Sequence, residues 1–112
     1  MISITVLKTG HQYKGFICEG HAGYAEEGYD IICSAVSVLT INTINSLEQF
    51  TGDDFRVEQA EDGGYLKLMI DGELSEAADV LMKSLVLGLQ TIEENYGKEF
   101  LAVTCEEYEE GR

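Results

Sequence analysis

The stretch FRVEQAEDGGYLKLMI, Phe55–Ile70, decides the architecture. Two strand-like segments flank Asp62, Gly63 and Gly64, and an Asp-Gly pair in that setting is a strong signal for a tight hairpin turn. Downstream, Ser75 can cap a helix whose Leu81, Leu85, Leu89, Ile92 and Tyr96 form one stripe at helical spacing. Gly97 is placed to end that helix. FLAVTCEEY, Phe100–Tyr108, then reads as a last strand, set at a sheet edge by its acidic tail.

Upstream the same order recurs. Ile2, Ile4 and Val6 alternate with Ser3 and Thr5, the period of two that marks a half-buried strand. The polar turn KTGHQ, which contains His11, leads into YKGFICEGH, and the two strands read as a hairpin. A helix is predicted from Ile31 to about Phe50, stopping near Gly52, where Gly52–Asp54 reads as a turn. The order is therefore ββαββα plus a C-terminal strand, a repeat of topology and not of sequence. Alternating strands predict an antiparallel sheet with one covered face and both helices on it: an α+β two-layer sandwich. With no proline and no linker, residues 1–112 are expected to form a single domain.

The first helix is unusually apolar. Ile32, Val36, Leu39, Leu47 and Phe50 share a face, but Ile41 and Ile44 project elsewhere and Val38 widens the stripe. A helix apolar nearly all round is buried on more than one side, and in so small a domain a second subunit supplies the cover. A homodimer is the expectation.

A chain of 112 residues with 45% hydrophobic content can bury a core without disulfides or metals. Its three cysteines are odd in number and widely spaced, which suits free thiols in a reducing cytoplasm better than a disulfide framework. No uninterrupted apolar run approaches the ~18 residues of a membrane span. The N-terminus reads as a strand and not as a signal peptide. Seven basic residues against 21 acidic ones give a formal charge of −14. That field repels nucleic acid and anionic membranes and favours a basic partner, although acidity also serves solubility alone.

Chemistry concentrates in GHAGYAEEGYDIICSAVS, Gly20–Ser37. With Asp30 as N-cap, Cys33 falls in the first helical turn, where the dipole and unpaired N–H groups favour a thiolate and can stabilise an oxyanion. His21 ends the second strand and could take the thiol proton and return it to a leaving amine. Between them lies a loop whose Gly23 and Gly28 bracket YAEE, hinges suited to a lid. Ser37, one turn after Cys33, could line the pocket. Each residue also has a plain reading: a buried small thiol, a surface histidine, a helix cap, a polar helix residue. Spacing alone leaves both open. Zinc is the rival for these residue types, but Cys18 and His21 point to opposite faces of a regular strand. Cys105 would have to supply a distant ligand. Cys18 and Cys105 read better as core or strand residues, and neither a metal nor another cofactor is expected.

The same stretch closely resembles the signature of the ribosomal-processing cysteine protease family (Prp): G-H-A, a short loop with a glycine, then D-I-x-C-[AS]-x-x-S. LQTIEENY, Leu89–Tyr96, resembles the family's second helix, and length and element order agree along essentially the whole chain. The resemblance implies a cytoplasmic bacterial cysteine endopeptidase, a hydrolase without cofactor. Its implied substrate is the precursor of large-subunit ribosomal protein number twenty-seven, whose N-terminal extension is removed after a pair of phenylalanines. It assigns Cys33 as nucleophile and His21 as general base and acid, with Asp30 and Ser37 near the site. It also implies a homodimer and a flexible loop, in which Tyr24 and Tyr29 could help wall an apolar substrate pocket. A basic ribosomal precursor suits the −14 charge, with encounter slowing as salt rises. The alternative from another class is a non-catalytic acidic protein that binds a basic ribosomal or assembly partner.

Overall fold

A computed structural model describes residues 1–20 and 29–109, with the side chains of 29 and 30 outside that description. The elements run β1 (Ile2–Thr9), β2 (Gln12–Glu19), α1 (Tyr29–Phe50), β3 (Phe55–Gln59), β4 (Tyr65–Ile70), α2 (Glu76–Tyr96) and β5 (Leu101–Glu107). They build one five-stranded sheet in the order β3-β4-β2-β1-β5. The α+β order predicted from sequence holds, including β5 at an edge.

The sheet is mixed, however, and not wholly antiparallel. The pairs β1–β2, β2–β4 and β3–β4 are antiparallel, while β5 lies parallel to β1, with Ile4 opposite Val103 and Val6 opposite Cys105. Hairpin turns force antiparallel neighbours, but β5 reaches β1 through α2 and is free of that constraint.

Alternation in the strands sets which face is covered. Ile2, Ile4 and Val6 on β1, Phe16 on β2, and Leu68 and Ile70 on β4 are buried in one cluster. Ile32, Val36 and Leu47 of α1 and Ala78, Met82, Leu85, Val86 and Leu89 of α2 belong to that same cluster. Both helices therefore sit on one face of the sheet. They approach closely at Gly88, where a Cβ would lie 3.0 Å from Leu39 Cδ1.

The caps of α2 follow the sequence reading. Ser75 Oγ accepts the Ala78 N–H at 3.1 Å, and the Gly97 N–H donates to the Glu93 carbonyl at 2.8 Å. The first capping interaction is itself supported by Asp53, whose carboxylate accepts the Ser75 N–H at 2.9 Å and the Ser75 hydroxyl at 2.5 Å. Glu93 also accepts the Val103 N–H at 2.7 Å, which occupies a donor on the outer edge of β5.

Some details of the helices differ from expectation. Phe50, placed by periodicity on the core face, is 74% exposed, and Tyr96 at the end of the α2 stripe is exposed as well. Of the other residues expected to project outward from α1, Val38 is 67% exposed and Ile41 is exposed too, but Ile44 is half-buried and packs against the core. By length and mean hydropathy (1.3), Ile31–Phe50 is apolar enough to cross a membrane, beyond what a count of unbroken apolar runs suggested. Its buried residues face the sheet in the common core, as in a core helix.

Candidate active site

The site is built where α1 and the sheet share the lining of one cavity, Cys33 on the helix and Cys18 on β2. Helix α1 begins at Tyr29, two residues earlier than expected. The backbone of Asp30 is therefore inside the helix and not at its N-cap. Cys33 becomes the fifth helical residue, past the first turn whose N–H groups lack intrahelical partners. The expectation that Cys33 uses those groups directly is corrected accordingly.

Cys33 is 8% exposed and belongs to the core cluster, yet it lines a cavity of about 200 Å³. Val36, Ser37, Thr40 and Ile41 continue the same wall at spacings of three, four, seven and eight residues, one face of a helix. Ser37 is itself exposed and opens onto the cavity beside Cys33. Thr40 is buried, but its hydroxyl is occupied by the Val36 carbonyl at 2.9 Å and the Ser37 carbonyl at 3.2 Å. The helix thus offers mostly apolar surface around one thiol.

The opposite wall comes from the sheet. Ile2, Cys18 and Leu66 contribute side chains, and Gln59, Gly63 and Tyr65 bring in the β3–β4 turn region. Cys18 sits on β2 between Ile4 of β1 and Leu66 of β4. Burial, reinforced by the Cys33 and Glu19 charges, pushes its thiol up to about 11. At neutral pH Cys18 is therefore a protonated wall residue and a poor nucleophile. Sequence reasoning read it as a core or strand residue. Its membership of the cavity depends on the packing of α1 over the sheet, which periodicity does not reveal. Cys105 is on β5, exposed, and away from this wall.

His21, Gly23, Tyr24 and Gly28 lie outside the described residues, as do the side chains of Tyr29 and Asp30. The structure does fix the chain immediately before His21. Gly20 adopts φ 86°, and a Cβ there would fall 2.2 Å from the Met1 carbonyl oxygen. Its N–H donates to the Gly64 carbonyl at 3.3 Å. Only glycine suits both the left-handed backbone and that close approach. What the described residues assemble is a single thiol on α1 facing an apolar cavity. The chain entering the His21 segment is anchored at the cavity's sheet side.

Comparisons with known proteins bear on this arrangement. A family model described as Cysteine protease Prp matches residues 1–100. The ribosomal processing cysteine protease Prp of Bacillus subtilis (strain 168) is 32% identical over 109 residues, covering 93% of this chain and 96% of that protein. Its counterpart in Staphylococcus aureus (strain Mu50) is 27% identical over 97 residues, covering 87% and 91% of the two chains. Among solved structures, SMU.848 from Streptococcus mutans superposes with a TM-score of 0.87 at 30% identity, covering 96% of this chain and 99% of that one. An essential ribosomal processing protease Prp from S. aureus, solved with a covalently linked product peptide, superposes with a TM-score of 0.85. Its identity is 23%, and the match covers 95% of this chain and 100% of that one.

Proposed function

Because the chain belongs to the cysteine protease Prp family, we propose that it is the endopeptidase that removes the N-terminal extension of a large-subunit ribosomal protein precursor, number twenty-seven. The cut falls after a Phe-Phe sequence. The observation that carries this reading is the placement of Cys33 on the wall of a mostly apolar cavity, with the chain anchored at Gly20 just before His21.

In this reading the Cys33 sulfur attacks the scissile carbonyl and His21 takes the thiol proton, then delivers it to the leaving amine. Water, activated by the same imidazole, hydrolyses the thioester and releases the extension. Asp30 and Ser37 support the site, with Ser37 at the cavity mouth. The cavity receives an aromatic side chain of the substrate, and burying such a side chain is worth about 1.5–3 kcal/mol of binding. The loop carrying Gly23, Tyr24, Gly28 and Tyr29 gates substrate entry. The raised Cys18 thiol leaves Cys33 without a competing nucleophile on the opposite wall.

The enzyme acts in the cytoplasm as a homodimer, with the basic precursor as partner and without cofactor, nucleic acid or membrane. The charge of −14 supports capture of a basic ribosomal protein. The exposed apolar residues Val38 and Leu87, on the outer faces of α1 and α2, support a subunit interface. Incubating the purified protein with the extended precursor and weighing the products tests the assignment. One cut after the Phe-Phe sequence is expected; an intact precursor, or cuts scattered elsewhere, would overturn it.

A further inference from the structure

We propose that Cys18 is a resolving thiol for Cys33: after a peroxide oxidises Cys33, the two sulfurs join in a disulfide across the cavity they share, closing the site until a thiol reductant reopens it. The cleavage chemistry above leaves Cys18 without a role. Yet its side chain lines the same cavity of about 200 Å³ as Cys33, one from the sheet wall and one from the helix wall. Cys33 is also one of the causes that raise the Cys18 thiol, after burial, which sets the two groups within electrostatic reach. The remaining cysteine, Cys105, is exposed on β5, two strands away from β2.

The cavity is large enough to admit hydrogen peroxide, since a water molecule's share of liquid volume is about 30 Å³. The Cys33 thiolate attacks one peroxide oxygen; an S–O bond forms, the O–O bond breaks and hydroxide leaves, giving a sulfenic acid. The Cys18 sulfur then attacks the Cys33 sulfur as its proton passes to the departing hydroxide. The S–O bond breaks and that hydroxide leaves as water. Because burial holds the Cys18 thiol protonated at neutral pH, the step quickens as pH rises toward the Cys18 value. Two thiols and one peroxide become one disulfide and two waters, with the peroxide reduced by two electrons. A disulfide between these two walls occupies the cavity that the substrate side chain would enter. Without Cys18, the sulfenic acid at Cys33 instead meets further peroxide and advances to the sulfinic acid, which thiols do not reverse.

The test is covalent and does not depend on cleavage, so it can fail while the protease assignment stands, or the reverse. Purified wild-type protein and the Cys18→Ser variant are treated with hydrogen peroxide, weighed intact, and mapped without reduction. The wild type is expected to lose the mass of two hydrogen atoms, yield a Cys18–Cys33 linked peptide, and return to its starting mass with dithiothreitol. Cys18→Ser is expected to gain two oxygen atoms at Cys33 and keep them after dithiothreitol. A link through Cys105, or a wild type that reaches sulfinic acid as fast as the variant, would overturn the proposal. Should Cys18→Ser fail to fold, the wild-type peptide map decides alone.

Discussion

The N–H of Gly20 donates to the carbonyl of Gly64 at 3.3 Å, tying the end of β2 to the β3–β4 turn one residue before His21. The same glycine has φ 86° and approaches the Met1 carbonyl more closely than any Cβ could. Gly20→Ala is therefore expected to cost more than about 1 kcal/mol of stability. Because His21, the proposed base, follows directly, cleavage should fall about 10²-fold. Urea denaturation beside peptide cleavage, both at a temperature where the variant remains folded, measures the two effects. An unchanged cleavage rate in the folded variant would separate the Gly20 anchor from catalysis.

The apolar cavity makes a prediction about specificity. Ile41 lies at its rim and is partly exposed, so Ile41→Trp can narrow the opening without disturbing the fully buried core. For a junction peptide with phenylalanine before the cut, kcat/KM should drop at least about tenfold. A peptide with alanine there should lose much less. Equal losses for both peptides would place the aromatic side chain elsewhere.

Asp53 supplies a pH dependence. Burial opposes its ionisation, but hydrogen bonds from Ser75 outweigh that effect, with Thr51 adding a further bond, and hold its carboxyl below the usual carboxylate range. A group whose folded value is lowered contributes stability that is present above its unfolded value of about 3.9 and lost as pH falls through the folded value. Asp53→Asn should therefore be less stable than wild type at neutral pH, with the gap narrowing in acid as pH falls through the folded value. Denaturation curves at both pH values check the sign; a gap that widens in acid would contradict it.

The outer helix faces carry the oligomer prediction. Val38 is 67% and Leu87 66% exposed, and both border one groove between α1 and α2. The wild type is expected to be the proposed dimer in light scattering, and replacing both with glutamate should weaken its association by more than about tenfold and yield a monomer. The fold should be retained, because neither side chain enters the core. A double variant that remains dimeric would move the interface off this face.

Much of this structure was legible in the chain because its signals are local. Ile2, Ile4 and Val6 announce a strand by alternation, Asp62-Gly63 announces a turn, and Ser75 and Gly97 bracket α2. The parallel pairing of β5 was not legible, since it depends on how α2 carries the chain back and not on the composition of Leu101–Glu107. Phe50 shows another limit. It lies 18 residues after Ile32, five whole turns, so both point the same way. Phe50 is nevertheless roughly 27 Å further along the axis, and angle says nothing about where covering structure ends. At the site, Cys33 and Ser37 could be chosen from spacing and family signature. Cys18 could not, because only the packing of α1 against the sheet brings its thiol to the same cavity.

The central claim is that Cys33 performs the cleavage, and one comparison tests it most directly. Wild-type protein and Cys33→Ala, confirmed as folded, are incubated side by side with a peptide spanning the precursor junction, and product is quantified by mass spectrometry. Cys33 is small and its replacement removes one sulfur from the cavity wall, so the fold should survive at a cost of about 1–2 kcal/mol. The account predicts a single cut by the wild type and a rate at least about 10³-fold lower for Cys33→Ala. Cleavage by Cys33→Ala at the wild-type rate would contradict it.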